Sequence, residues 1–166
     1  PDTTFIDDPL RMLRAIRFSA QLEFKINPKI KDSIKTHKDR IKIISQERIT
    51  AEIIKILESN KPSISFYLLK ELNFLKLIFP ELDIMSGVDI IDNKGHKDVF
   101  IHTLEVVDNS AKLSEKMEIR FSALVHDIAK PQTKRFNDKK GWTFHGHEEI
   151  GRRMLINVAK RMKLPN

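Results

Sequence analysis

The sequence predicts an all-α fold, and three observations lead to that prediction. Apolar residues in the first half recur at three- and four-residue intervals, which is the spacing of one helix face. Asp8-Pro9 and Asn27-Pro28 each pair a capping side chain with a proline that favours the first helical turn. None of the 5 glycines precedes Gly87, so the front of the chain has no glycine-rich loop to hold a phosphate.

Helices are predicted along most of the chain, with one break near its middle. In the first half they begin at Asp8, Asn27, Ser45, Ser63 and Phe74. The segment Leu82–Asp98 is less regular and contains two glycines, Gly87 and Gly95, which makes it the expected domain boundary. Further helices are predicted at Val99–Lys112, Met117–Ile128 and Glu148–Met162, with a hairpin or loop around Asp138–Gly141.

Composition limits the classes of partner. Charged residues make up 32% of the chain and the net charge is +7, which favours a polyanion such as a nucleic acid. No apolar run approaches the roughly 20 residues that cross a bilayer, so we expect no membrane association. The chain has no cysteine, which excludes disulfides and cysteine-ligated zinc. No secretion signal opens the chain, so a cytoplasmic location is expected.

Asp8 and Arg11 form the first candidate site. Their i, i+3 spacing puts both side chains on one face of the first helical turn. A carboxylate can accept the exocyclic amine that cytosine and adenine share, while a guanidinium donates to a ring nitrogen or carbonyl. On spacing alone, a helix cap with a local ion pair is the simpler interpretation. Arg14 and Arg17 extend the pair into a basic stripe, either solvated or suited to phosphates.

The longer segment Asp7–Phe18, with the sequence DDPLRMLRAIRF, resembles the acidic-Asp-x-x-Arg motif of class II tRNA nucleotidyltransferases and bacterial poly(A) polymerases. The resemblance implies that this segment opens a helical neck domain in which Asp8 and Arg11 select CTP and ATP. It also makes Arg14 a candidate contact for the nucleotide triphosphate or for RNA.

A second segment, Ser45–Glu52, resembles the Glu-Arg-x-x-x-Glu helix of the same family. By that resemblance Glu47, Arg48 and Glu52 support the helix that carries the base-selecting residues. Surface salt bridges along a helix are the alternative interpretation for these three side chains.

The resemblance also implies a catalytic head domain upstream of Pro1, where an Asp-x-Asp pair would bind two Mg²⁺ ions. The chain itself contains no Asp-x-Asp sequence. We therefore expect no catalytic residue for nucleotidyl transfer in this chain, which would select a nucleotide without transferring it.

His102, His126 and Asp127 form the second candidate site. Imidazole nitrogen and carboxylate oxygen atoms suit a divalent transition metal, and two adjacent ligands need a third from a neighbouring helix. Taken singly, each histidine is more typical of a satisfied core or capping residue than of a metal ligand. The longer pattern, which adds Leu124–Pro131 and Phe144–Glu148, resembles the HD superfamily of metal-dependent phosphohydrolases, found after the neck in many bacterial CCA-adding enzymes.

The HD resemblance implies that His102, His126 and Asp127 are metal ligands. It makes His147 and His145 candidates for a further ligand or a phosphate contact, and Lys130 a residue that neutralises phosphate. HD sites usually end with another aspartate on a later helix. No aspartate follows Asp138, so we expect that ligand beyond Asn166 and an HD domain that is incomplete at its C-terminus.

Together the motifs predict a neck domain at 1–85 and a truncated HD domain at 86–166. They predict a parent enzyme that adds CCA to tRNA 3′ ends from CTP and ATP. Three alternatives remain open: a bacterial poly(A) polymerase, an HD phosphohydrolase whose helical front is a cap, and a non-catalytic RNA-binding module. An HD fold that serves only as a scaffold is a further alternative for the second half.

Overall fold

The all-α prediction is confirmed, because in the part of the chain that the structure describes helices form most of the regular structure and the strands form two short hairpins. The computed structural model describes residues 1–92, 95–138 and 141–164. The first half contains α1 (Asp2–Asp7), α2 (Leu10–Gln21), α3 (Pro28–His37), a 3₁₀ helix (Lys38–Ile43), α4 (Gln46–Leu57), α5 (Pro62–Glu71), α6 (Leu75–Ile78) and α7 (Pro80–Asp83). The second half contains β1 (Asp89–Asp92), β2 (Gly95–Asp98), α8 (Val99–Leu113), α9 (Met117–Val125), α10 (Lys130–Thr133), β3 (Arg135–Asn137), β4 (Gly141–Thr143) and α11 (His147–Met162).

Helix starts follow the predicted caps closely. Asp8 has an extended backbone, and its Oδ1 accepts a hydrogen bond from the Leu10 amide at 3.3 Å at the start of α2. Asn27 Oδ1 accepts from the Lys29 amide at 2.9 Å at the start of α3. The helix predicted to begin at Ser45 begins at the next residue, Gln46, and the Ser45 hydroxyl makes no capping hydrogen bond.

Two departures from the prediction have simple causes. Helix α1 was not predicted, because its two apolar residues, Phe5 and Ile6, are adjacent and therefore give no helical periodicity. Helix α9 ends at Val125 rather than at Ile128, because the chain turns at this point and continues into α10. As a result, His126 and Asp127 stand at the end of a helix and not within it.

Both short hairpins are antiparallel. β1 pairs with β2 within the segment predicted to be the irregular domain boundary. β3 pairs with β4, with Arg135 opposite Thr143 and Asn137 opposite Gly141, which confirms the predicted hairpin. Residues 139–140 of that predicted turn lie outside the described residues.

One apolar core runs through both halves of the chain. It contains side chains from α2, α4 and α5 as well as from α8, α9 and α11, including Ile16, Ile53, Phe66, Leu104, Leu124 and Val158. Burying one such side chain contributes about 1.5–3 kcal/mol. The helices that carry the two candidate sites are therefore packed on a shared core.

Polar contacts also join the halves. The buried guanidinium of Arg120 on α9 donates to the carbonyls of Leu57 at 2.6 Å and Ser59 at 3.1 Å, just after α4. Asp108 on α8 accepts from the amide and hydroxyl of Ser63, at 3.0 Å and 2.7 Å, at the start of α5. These bonds satisfy backbone groups at helix ends that would otherwise lack partners.

Candidate functional sites

Asp8 lies between two guanidinium groups at the start of α2. Its Oδ1 is 3.6 Å from Arg48 Nη2, and its Oδ2 is 3.9 Å from Arg11 Nε. Both arginine side chains are about half exposed, at 51% for Arg11 and 50% for Arg48. Within the described part of the chain, Oδ2 accepts no hydrogen bond, so it has capacity for a further donor.

Glu52 of α4 is buried beneath α2 and binds three cations. Its Oε2 accepts from Arg17 Nε at 2.8 Å, its Oε1 accepts from Arg14 Nε at 3.2 Å, and Lys55 Nζ is 3.6 Å away. Burial by itself raises the pKa of Glu52, but the hydrogen bonds from Arg17 and Arg14 outweigh it and lower the pKa below its ordinary value. The carboxylate therefore stays ionised and ties α2 to α4.

The predicted supporting residues divide into two groups. Arg48 contacts Asp8, and Glu52 contacts Arg14, as expected for side chains that support the first helical turn. Glu52 is not a surface residue, so a surface salt bridge is excluded for it. The Glu47 side chain is exposed and forms no ion pair or hydrogen bond with the described residues.

Arg17 is buried, so its prediction as part of an exposed basic stripe is wrong.

His102, His126 and Asp127 converge in the second half. The turn after α9 carries His126 and Asp127, and α8 carries His102. Their ligand atoms all lie within 4.8 Å of one another. His126 Nε2 is 3.2 Å and His102 Nε2 is 4.0 Å from Asp127 Oδ2, while His147 Nε2 is 3.8 Å from Oδ1. Three imidazole nitrogens therefore face one buried carboxylate.

Backbone carbonyls orient two of these imidazoles. The Nδ1 atom of His126 is 2.9 Å from the Ala123 carbonyl, and that of His147 is 2.8 Å from the Phe144 carbonyl. A carbonyl only accepts, so each Nδ1 carries a proton and each Nε2 is left facing Asp127. With a metal in place, Nε2 would offer its lone pair to the ion. This arrangement, with the outer nitrogen bound to the backbone, is typical of histidines that ligate metal. The donor set fits a divalent transition metal.

Burial and hydrogen bonding at the cluster keep the carboxylate ionised and shift the pKa values of His102 and His126 in opposite directions. Burial raises the pKa of Asp127, but hydrogen bonds from His126 and Lys130 lower it to about 2. Lys130 Nζ lies 2.8 Å from Asp127 Oδ2. Burial lowers the pKa of His102, whereas the hydrogen bond to Asp127 raises that of His126. At neutral pH His102 is therefore in the uncharged form that binds metal.

The structure thus brings together His102, His126, Asp127, His147 and Lys130. His145 is exposed and lies outside the group that faces Asp127. The sequence interpretation missed a cavity of about 420 Å³ beside this cluster, lined by Lys130 and residues 142–148. The signal for it was available, since Phe136, Trp142 and Phe144 are aromatic residues in an otherwise polar segment.

Comparison with known proteins covers both halves of the chain. Residues 23–85 match a family profile described as "Probable RNA and SrmB- binding site of polymerase A", and residues 99–164 match one described as "HD domain". The chain is 38% identical to the Multifunctional CCA protein of Psychromonas ingrahamii over 99% of its own length. The chain resembles CCA-adding proteins along both of its halves. The resemblance inferred from its neck and HD motifs is therefore confirmed.

Two further relatives agree with this assignment. The Multifunctional CCA proteins of Shewanella frigidimarina and Nitrosomonas europaea are 35% and 32% identical, over 98% and 97% of the chain. The chain spans 41%, 40% and 39% of the length of the three relatives, so it corresponds to about two fifths of each. Among the described helices, none is long and apolar enough to cross a membrane.

Proposed function

We propose that the chain is the base-selecting neck and the HD region of a cytoplasmic tRNA nucleotidyltransferase, which adds C, C and A to tRNA 3′ ends from CTP and ATP. The neck would comprise residues 1–85 and the HD domain residues 86–166, in keeping with the matched ranges 23–85 and 99–164. One observation carries the proposal. Asp8 has an accepting oxygen beside Arg11, in a chain that resembles CCA proteins over at least 97% of its length.

An acceptor and a donor side by side suit cytosine and adenine together. Both bases present an exocyclic amine next to an unprotonated ring nitrogen, so Asp8 would accept from the amine and Arg11 would donate to the nitrogen. Uracil and guanine present a carbonyl next to a ring N–H, which reverses both partners. With these bases, Asp8 would face another acceptor and Arg11 another donor, so both hydrogen bonds would be lost.

The supporting contacts favour a fixed position for this pair. Arg48 approaches Asp8 from α4, while Glu52 holds Arg14 and Arg17 against the same helix. Arg14 is 42% exposed and uses its Nε toward Glu52, so its terminal N–H groups would be available to bind a phosphate of the nucleotide or of tRNA. Nucleotidyl transfer itself would need Mg²⁺ held by carboxylates outside this chain.

A second function is favoured by the His/Asp cluster. We propose that His102, His126 and Asp127 hold a divalent transition metal, with His147 as a further ligand or a phosphate contact. The metal would act as a Lewis acid and a source of hydroxide for phosphoester hydrolysis, with 2′,3′-cyclic ends as one substrate class. Lys130, already beside Asp127, would neutralise a phosphate oxygen.

The test uses the complete protein that contains this chain and a tRNA that lacks its 3′ CCA. We expect incorporation of C, C and then A when all four nucleoside triphosphates are supplied. Repeated addition of A alone would indicate a poly(A) polymerase. Metal-dependent phosphate release without nucleotide addition would favour the HD phosphohydrolase. Salt-sensitive tRNA binding with no turnover and no bound metal would indicate an RNA-binding module.

A further inference from the structure

One side of the cavity beside the His/Asp cluster is formed by residues of the β3–β4 hairpin, which have no role in the proposed phosphoester hydrolysis. The cavity has a volume of about 420 Å³, and Trp142, Phe144, Lys130 and His147 are among its lining residues. Lys130 and His147 also reach Asp127, at 2.8 Å and 3.8 Å. The cavity therefore borders the cluster on one side and the β3–β4 hairpin on the other.

The hairpin presents a large aromatic surface at this cavity. Trp142 is 43% exposed, although its indole packs edge-on against Phe136 with 5.2 Å between ring centroids. Lys134 Nζ lies 4.6 Å from the centre of the Trp142 ring, and Lys130 Nζ lies 5.6 Å from that of Phe144. Neighbouring side chains thus hold the indole, yet much of it faces solvent.

The combination of an aromatic face with cations limits the chemistry of a ligand. Every nucleobase has a face that stacks on an aromatic side chain, and the gain is about 1–3 kcal/mol per base. The cavity lining contains one acidic residue, Glu148, whose carboxylate lies 3.5 Å from His147 Nδ1. Lys130, Lys134 and the exposed Arg135 outnumber it, so cations predominate and complement a phosphate. An apolar partner would instead bring these ammonium and guanidinium groups out of water at a cost.

We propose that Trp142 forms a nucleobase subsite of the HD site. The ligand would be a ribonucleotide phosphoester whose phosphate lies at Lys130 and His147 while its base stacks on the indole. The inference rests on the proposed phosphoester chemistry of the cluster. It adds that Trp142 selects substrates that carry a nucleobase. Trp142 is a binding residue here and takes no part in bond cleavage.

The first test is fluorescence, because Trp142 is the only tryptophan in the chain. The 166-residue chain is titrated with adenosine 3′-monophosphate, ribose 5-phosphate and inorganic phosphate, in the presence of Mn²⁺. We expect the nucleotide to quench the emission and to bind at least about 10-fold more tightly than ribose phosphate. Equal affinity for nucleotide and ribose phosphate would overturn the proposal.

Variants separate stacking from a purely structural role of the indole. By calorimetry, Trp142→Ala should lose the preference for nucleotide over ribose phosphate, whereas Trp142→Phe should keep most of it. Phe24→Ala, which removes an aromatic residue that is 68% exposed in the first half of the chain, serves as the matched control. A thermal melt of each variant verifies folding. A nucleotide preference that persists in folded Trp142→Ala would contradict the subsite.

The subsite and the HD chemistry fail in different ways. If the nucleotide preference is present but no phosphoester is hydrolysed with any metal, the subsite stands and the phosphohydrolase proposal fails. If nucleotides and base-free phosphomonoesters are hydrolysed with the same KM, the phosphohydrolase proposal stands and the subsite fails.

Discussion

Two buried carboxylates, Glu52 in the first half and Asp127 in the second, differ in the cations around them. The Glu52 and Asp127 side chains are 2% and 3% exposed, respectively. The partners of Glu52 are Arg14, Arg17 and Lys55, whereas those of Asp127 are three histidines and one lysine. Arginine and lysine stay charged near neutral pH, but a neutral imidazole offers a lone pair.

Distances show the same difference. Arg17 and Arg14 are at hydrogen-bond distance from Glu52, at 2.8 Å and 3.2 Å. Asp127 also has two partners at such distances, Lys130 at 2.8 Å and His126 at 3.2 Å. Its other two partners, His102 and His147, are 4.0 Å and 3.8 Å from the carboxylate, which is too long for a hydrogen bond. Ligand atoms that share a metal at about 2.0–2.2 Å are separated by a gap of this size. The Glu52 cluster is thus closed by ion pairs, and the Asp127 cluster has room for an ion.

The largest effect is expected for Asp127→Asn. Removing the carboxylate that all three histidines face should reduce Mn²⁺ affinity by well over the roughly 100-fold that loss of an outer-shell partner can cause. Calorimetric titration measures this, with Asp39→Asn at an exposed ion pair as the matched control. Unchanged Mn²⁺ affinity in a folded Asp127→Asn variant would mean that Asp127 contributes no more to metal binding than Glu52 does.

Glu52→Gln should lower the free energy of unfolding by about 3 kcal/mol, because it leaves the buried Arg17 guanidinium without its counterion. Metal affinity should not change. Urea denaturation measures the stability loss, and the exposed Glu47→Gln variant should stay within about 0.5 kcal/mol of the original chain. Equal stability of the two variants would remove the structural role assigned to Glu52.

Acidic pH should reduce the stabilisation of the folded chain that Glu52 provides. Its folded pKa lies below the ordinary value of 4.5, so the stabilisation is complete above that value and is lost as the pH falls through the folded pKa. The difference in unfolding free energy between the original chain and Glu52→Gln should therefore narrow below about pH 4.5. The check is denaturation at a series of pH values. A difference that stays constant on acidification would contradict the ion-pair explanation.

Two helix starts and the His/Asp cluster were accessible from sequence because local signals mark them. Asp8 and Asn27 act where the capping rule expects them, and the His126-Asp127 dipeptide meets His102 from the preceding helix. The burial of Arg17 could have been inferred from helical spacing. It occupies the face of α2 that also carries Leu13, a position where an arginine needs a buried acid from another helix.

Other features depend on contacts that no local pattern contains. The Arg120 guanidinium finds the carbonyl of Leu57 across 63 positions of sequence separation, and nothing near Arg120 predicts it. The cavity beside Trp142 exists because the hairpin folds back toward Lys130 and His147. In both cases the partner is set by tertiary packing rather than by spacing.

The most direct test of the base-selecting proposal is the CTP-over-UTP preference of Asp8→Asn in the complete protein. Asparagine still caps the helix, so the variant should fold normally. Its amide can donate to the uracil carbonyl, so the variant should change base selection alone. The ratio of kcat/KM for CTP to that for UTP should fall by about 10- to 100-fold, as expected for a lost hydrogen bond to a charged group. An unchanged ratio, with normal C incorporation, would contradict the assignment of Asp8 as the residue that reads the base.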